Sequence, residues 1–366
     1  MINHRLASNF NWFFFLTCLG ISIIGVVTIY SANHGRPEAF FRGLYIKQIY
    51  WIGYGLVAML IALVLDYRWF SRYAYLIYVF TLLALAYVLA EGVIASGSRR
   101  WIHIGSISIQ ISEFAKVSLI IALAKYFESG KMSNQYYLKD LFIPALMTAL
   151  LGGLIVVQPD LGTTMMIFFI FLVFVAAIEL ERMTLIKLFT GGLMLAPALW
   201  FFLKDYQKSR LLTLFNPELD PLGAGYHSIQ SKIAIGSGGF WGKGLLAGTQ
   251  SRLNFLPEKH TDFIFSVFAE ETGFLGVVIL LSLFLFIILK GLNIAFRAAD
   301  RFGFFLSLGL ISSITFYIIF NVGMTIGLFP ITGIPLPFLS YGGSSLITNF
   351  FAVGLLLNVE MRRSIH

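Results

Sequence analysis

The chain has 366 residues, 58% of them hydrophobic and 12% charged, against about 45–50% apolar and about 25% charged in an ordinary soluble domain. That balance excludes both a soluble globular enzyme and a disordered chain. The formal charge of +8, from 26 Lys plus Arg against 18 Asp plus Glu, comes without a basic arm or an aromatic-basic sheet motif, so nucleic acid is not expected as a partner.

In chain order, Arg5 is followed by 30 residues without Asp, Glu, Lys or Arg, Leu6 to Gly35, too long for the apolar core of a cleaved signal peptide. It reads as an uncleaved first membrane span, and the single cysteine, Cys18, lies inside it without a disulfide partner. Uncharged runs long enough to cross a bilayer predict spans near 10–32, 47–65, 73–91, 112–128, 140–157, 161–179, 183–203, 262–290, 302–328 and 339–359. The fourth is interrupted by Glu113, Lys116 and Lys125. The last 58 uncharged residues, Phe302 to Val359, are divided by Gly327, Pro330, Gly333, Pro335 and Pro337. The expected fold is an all-α polytopic membrane protein, a single integral membrane domain over 1–366 with about ten transmembrane helices. A large extracytoplasmic loop, 204–261, joins spans seven and eight.

Basic residues in short loops set orientation. With the amino terminus inside, the cytoplasmic ends hold 13: Arg5, Arg68, Arg72, Lys125, Lys131, Lys139, Arg182, Lys187, Lys290, Arg297, Arg301, Arg362 and Arg363. The short outer loops hold five: Arg36, Arg42, Lys47, Arg99 and Arg100. Both termini are therefore expected in the cytoplasm and the long loop outside.

Several polar elements are candidates for chemistry. Arg99-Arg100-Trp101 suits either interfacial anchoring or contact with a headgroup. Glu113 and Lys116, at i and i+3 within a span, are either a self-neutralising structural pair or part of a site. In Gln158-Pro159-Asp160-Leu161-Gly162, Asp160 stands where it can cap the sixth helix. The long loop carries seven cations, Lys204, Lys208, Arg210, Lys232, Lys243, Arg252 and Lys259. They suit a phosphate or diphosphate as well as they suit anionic lipid headgroups. The Gly-rich run Gly236 to Gly244 lacks the spacing of a nucleotide loop, with Ser237 six residues before Lys243 and Gly244 after it. It reads as a re-entrant turn whose N–H groups are available to an anion. Glu258-Lys259-His260-Thr261-Asp262 leads into the eighth span, and a helix there would put Glu258, Asp262, Ser266 and Glu270 on one stripe. Helix capping is the competing reading. The six histidines show no zinc-ligand spacing.

Four stretches in order, Asn216–Tyr226, Gln230–Gly239, Phe255–Phe263 and Pro335–Ser345, closely resemble the SEDS family (shape, elongation, division and sporulation), nearest its rod-shape branch. Within Gln110-Ile111-Ser112-Glu113 the sequence departs from the family at Ile111, commonly Pro. The resemblance implies a multi-pass protein of the bacterial inner membrane, a peptidoglycan glycosyltransferase. It would polymerise lipid II into glycan strands during cell elongation, beside a class B penicillin-binding protein (transpeptidase) and other elongation-complex proteins. It places the catalytic aspartate at Asp262 and polar cavity positions at Glu113, Lys116 and Asp160.

The chemistry suits this reading. Lipid II carries an α-linked diphosphate and the polymer bond is β, so one inverting displacement with a single base suffices. Diphosphate is already a good leaving group and needs cations rather than an acid, for which Arg210 and Lys243 are candidates, and Arg100 is a further candidate for contact with the substrate. Glu258, His260 and Thr261 are expected beside the substrate. No dedicated metal site is expected; a Mg²⁺ ion held with the substrate diphosphate is the one cofactor that fits. The alternative, from another class, is a flippase or transporter of lipid-linked cell-wall precursor, which would need its charges nearer the midplane.

Overall fold

A computed structural model describes residues 9–34, 41, 43–95, 98–104, 107–129, 135–202, 204–217, 220, 223–253, 255–256 and 258–363. Arg5, Arg36, Arg42 and Lys131, used for orientation, and Glu218, Leu219, Pro221, Leu222 and Pro257 of the quoted motifs lie outside the described residues.

Ten helices coincide with the ten expected spans: α1 (Trp12–Asn33), α2 (Leu44–Val64), α4 (Ala74–Glu91), α5 (Ile111–Glu128), α6 (Phe142–Val157), α7 (Leu161–Ala176), α8 (Arg182–Phe202), α12 (Ile264–Phe296), α13 (Arg301–Ile326) and α14 (Gly343–Arg362). The short α3 (Tyr67–Arg72) links α2 to α4. Among the described residues seven helices satisfy both length and apolarity for crossing a membrane, α6 with the 3-10 turn before it, whereas α7 has only 16 residues. In α5 the four charges Glu113, Lys116, Lys125 and Glu128 interrupt the apolar run. Ile111 is the first residue of α5, a position where Pro is favoured, so the departure from the family pattern leaves the helix start intact.

α13 and α14 form the interior. α13 packs on α5, α7 and α12, and α14 on α2. Close approach rests on small residues: a Cβ at Gly309 would come within 2.6 Å of Ile120 and 2.8 Å of Phe174, and one at Gly354 within 2.7 Å of the Met59 carbonyl. Ser22, Thr28, Thr81, Thr148 and Ser312 turn their hydroxyls back to carbonyls four residues earlier, which satisfies them where lipid offers no partner. At the end of the bundle holding both termini, Lys290 meets Glu360 at 2.7 Å and Arg362 meets Asp66 at 3.1 Å.

The helical expectation holds, with two details beyond it. Three strands, β1 (Val93–Ala95), β2 (Ser98–Ile104) and β3 (Ile107–Gln110), form an antiparallel sheet. The period-2 alternation of Ile107 and Ile109 with Ser108 and Gln110 carried that signal. Within 204–261 the chain also forms three helices, α9 (Asp205–Phe215), α10 (Ala224–Ser237) and α11 (Thr249–Arg252), where a loop was expected. Ser231 of α10 bonds Ser266 of α12 and the Thr325 carbonyl of α13, each at 2.7 Å.

α12 is broken at Gly273 (φ 67°, ψ −166°), a conformation essentially confined to glycine. In an unbroken helix the amides of Phe274 and Leu275 would donate to the carbonyls of Glu270 and Glu271. Here Phe274 and Leu275 donate to Gly239 and Phe240, while Lys243 and Gly244 donate to Glu270 and Glu271. The Gly-rich run is thus spliced into the helix by backbone bonds. Those two N–H groups are engaged there, which corrects the expectation that an anion would meet them. A Cβ on Gly273 would stand 2.2 Å from the Gly242 nitrogen. Gly273→Ala is expected to cost about 1–3 kcal/mol or more; thermal unfolding in detergent measures it, and a wild-type melting temperature would refute this account.

Candidate active site

At the end of the bundle opposite the chain termini lies a cavity of about 860 Å³. Three cations, Arg100, Lys204 and Arg210, and four carboxylates, Glu113, Asp160, Glu258 and Asp262, line it. The small sheet supplies one wall, since the register pairs Trp101 with Gln110 and both face the cavity. The loop between α13 and α14 supplies another through Ile331–Pro335 and Tyr341–Ser345.

Asp160 combines the two roles open to it. Its carboxylate caps α7, accepting from the Thr163 amide (3.2 Å) and hydroxyl (2.9 Å). It also accepts from Gln110 at 3.3 Å and stands 3.9 Å from the Arg100 guanidinium. Arg100 is oriented by bonds to the carbonyls of Gln158 (3.1 Å) and Pro159, and with the Asp160 carboxylate beside it faces the cavity.

Glu113 and Lys116 form a buried pair at 2.6 Å. The Tyr317 hydroxyl donates to Glu113 at 2.9 Å, and the Lys116 ammonium lies 4.2 Å from the Tyr317 ring centroid. Glu113 reaches the cavity wall and Lys116 stands behind it. The pair is therefore structural glue whose acidic end is open to the site.

Asp262 lies two residues before α12 and retains part of its surface toward the cavity. Burial, and secondly the charge of Glu258, push its carboxyl up to about 7, against the opposing pull of Arg210. The expected helical stripe through Glu258, Asp262, Ser266 and Glu270 is not formed. Glu258 has φ 42°, and its carbonyl instead accepts from the Thr261 amide at 3.0 Å in a tight turn. Thr261 also lines the cavity, its hydroxyl 3.3 Å from the Glu258 carboxylate. His260 is buried outside the lining, its ring against Phe41 and Tyr341, so it braces the turn.

Lys243, expected to meet the diphosphate, is elsewhere. It pairs at 2.8 Å with Glu270, whose same carboxylate oxygen accepts from the Thr249 and Gln250 amides. Glu270 is fully buried, and a buried carboxylate draws in the nearest cation. Its neighbour Glu271 accepts from the Ser31 hydroxyl of α1, completing the clasp that holds the spliced loop. Of the loop cations whose side chains are described, Lys204 joins Arg210 at the cavity. Counting cations in the loop identified the group, but nothing local in the chain marks which of them the fold brings in. Tyr317 and Thr163 were also missed, as polar positions inside or beside apolar helices without a motif.

A model of the cell cycle protein family FtsW/RodA/SpoVE matches residues 11–365. The chain is 39% identical to the peptidoglycan glycosyltransferase MrdB of Escherichia coli K12, over 95% of this chain and 92% of that protein. It is 35% identical to the peptidoglycan glycosyltransferase RodA of Treponema pallidum, over 98% and 99% of the two. Among solved structures, it resembles a chain of a peptidoglycan synthase complex that coordinates polymerization and crosslinking, with TM-score 0.82, 34% identity and 98% and 99% coverage. It also resembles the rod shape determining protein RodA of Thermus thermophilus, with TM-score 0.71, 30% identity and 97% and 98% coverage.

Because Lys243 serves the clasp, Lys243→Ala is expected to lower stability by about 1–3 kcal/mol through the buried Glu270 it leaves underpaired. Binding of an anionic ligand in the cavity should be unchanged. Thermal unfolding and ligand titration on the same preparation check both; lost binding at unchanged stability would return Lys243 to the site.

Proposed function

The chain belongs to the FtsW/RodA/SpoVE family, and from that premise we propose that it polymerises lipid II into glycan strands with Asp262 as the general base. It is a multi-span membrane protein and a peptidoglycan glycosyltransferase by kinship. The transporter reading is not favoured, because the relatives carry transferase names and the carboxylates converge at one end of the bundle.

The observation that carries the assignment is the pairing of the Asp262 carboxyl, open to the cavity and poised near neutrality, with cations on the same walls. A base whose pKa lies near the working pH both exists as carboxylate and accepts a proton readily. The acceptor sugar's 4-hydroxyl would give its proton to Asp262 as its oxygen forms the new bond to the donor's anomeric carbon. The bond from that carbon to the diphosphate breaks in the same displacement, with inversion and without a covalent intermediate. Arg100, Arg210 and Lys204 would neutralise the departing diphosphate, Lys204 taking the place expected of Lys243. Asp160 and Gln110 would hold the donor's polar groups on the opposite wall.

Among the described residues no group of three or more His, Cys, Asp or Glu forms a metal site. The residues fit only a Mg²⁺ ion carried by the diphosphate itself, which would supply further charge neutralisation. For partners and place, the reading is a class B penicillin-binding protein acting as transpeptidase beside other elongation proteins. The site would lie at the outer face of the bacterial inner membrane, with both termini cytoplasmic, supported by the excess of basic residues in the short loops of the terminal end.

The test is polymer formation by the purified protein with its transpeptidase partner, lipid II and Mg²⁺, separated on gels. Asp262→Asn is expected to fold, keep its partner and lose at least about 100-fold in rate; full retention of polymer would overturn the assignment. Because the base acts deprotonated, the rate should rise with pH through about 7. Glu258→Gln removes a repelling negative charge and should move that midpoint to lower pH, whereas Arg210→Gln should move it higher. A midpoint indifferent to both would place the titrating group elsewhere.

A further inference from the structure

The three carbonyls that lead into α12 each accept a hydrogen bond from across the cavity's floor. The His260 carbonyl accepts from the Tyr341 amide at 2.9 Å, the Thr261 carbonyl from the Ser340 hydroxyl at 2.7 Å, and the Asp262 carbonyl from the Asn321 amide group at 2.9 Å. Two of the three donors are side chains. Asn321, on α13, is fully buried and donates a second bond to the Ile334 carbonyl at 2.7 Å. Ser340 is 5% exposed, and its hydroxyl also accepts from the Leu336 amide at 2.7 Å. Neither lines the cavity.

The consequence is a fixed spacing. Asn321 bridges the backbone of Asp262 to that of Ile334, whose neighbour Gly333, at φ 73°, lies so near that a Cβ there would stand 3.4 Å from the Asp262 carboxylate. One amide thereby sets how far the carboxylate stands from the facing loop. Ser340 does the same one residue earlier, tying Thr261 to the turn at Leu336. A base must stay within hydrogen-bond reach of the hydroxyl it deprotonates, and a misplacement of about 1 Å costs on the order of 100-fold in rate.

We propose that Asn321 and Ser340 are positioning residues for glycosyl transfer, holding Asp262 through its main chain against the loop between α13 and α14. This rests on the reading of Asp262 as base. They act without touching substrate, so their loss lowers turnover and leaves substrate binding alone.

The experiment assays Asn321→Ala, Asn321→Asp, Ser340→Ala and Ser340→Thr with the transpeptidase partner and lipid II across pH, beside Asp262→Asn. Both alanine variants are expected to lose about 10- to 100-fold in kcat with KM little changed, and Ser340→Thr, which keeps the hydroxyl, should recover it. Asn321→Asp can donate only when its new carboxyl is protonated. Its rate should therefore fall again at high pH, where the wild type stays on its plateau. A melting temperature that stays constant over the same pH range assigns that falling limb to positioning; one that falls with it assigns the limb to the stability of a buried ionised Asp and overturns the role. Alanine variants with wild-type kcat beside an inactive Asp262→Asn would overturn the positioning role and leave the base in place. The role is equally overturned if the alanine variants unfold and the Thr and Asp variants are inactive at every pH. An active Asp262→Asn would remove the base itself.

Discussion

Everything at the site depends on how the backbone of residues 258–263 is held where it enters the bundle. Helical backbone satisfies its own carbonyls, but a turn beside an apolar interior does not, and each unpaired group there costs about as much as a lost hydrogen bond. The fold answers with Tyr341, Ser340 and Asn321, one donor for each carbonyl from His260 to Asp262. The left-handed Glu258 closes the turn from the other side. Asp262 can stay out of the helix, and so face a cavity, because its main chain is already satisfied.

The same requirement sorts the charges of the bundle. Glu113 takes both Lys116 and Tyr317; Glu270 takes Lys243 and two backbone amides; Glu360 takes Lys290. Each is an interior carboxylate with a cation within reach, as a low-dielectric setting demands. Glu271 is taken up by the Ser31 hydroxyl rather than by a cation, and Asp262 likewise forms no ion pair within 4 Å among the described residues. Its nearest named charge influences are Glu258, which repels, and Arg210, which attracts. A carboxylate left without a close cation is a poor structural element and a good base, because pairing would drag its proton affinity down.

Much of this was legible in the sequence, for physical reasons that differ between elements. The ten helices follow from runs of apolar residues, a signal that needs no tertiary information. Asp262, Thr261 and Asp160 sit where polar residues meet the start of an apolar run, a position that suits helix capping at least as well as a site, and it is the family resemblance that points Asp262 and Asp160 to a cavity. Lys243 did not, because the partner that claims it, Glu270, is 27 residues away and becomes its neighbour only when the Gly-rich run splices into α12. That splice was itself hidden: Gly273 is one of 34 glycines, and nothing local marks it as the break. The sheet was missed because its strands are short and lie between two stronger apolar signals. Glu258 was expected on a helix because its spacing to Asp262 fits one; only the positive φ of the folded turn separates them.

The clasp and the cavity are two ends of one segment. From Gly239 the chain is bonded to residues 270–275 of α12, passes through Thr249 and Gln250 against Glu270, and returns through Glu258 to Asp262 and the start of the same helix. The stretch Ile264–Thr272 is therefore enclosed by bonds at both ends and pinned at its middle by Ser266 to Ser231. It behaves as a short block, separated by the Gly273 break from the membrane-spanning remainder of α12. At the break one loop serves both halves of the helix, accepting from Phe274 and Leu275 and donating to Glu270 and Glu271. The helix is therefore interrupted where the run that leads back to Asp262 takes over the backbone groups an unbroken helix would satisfy in itself.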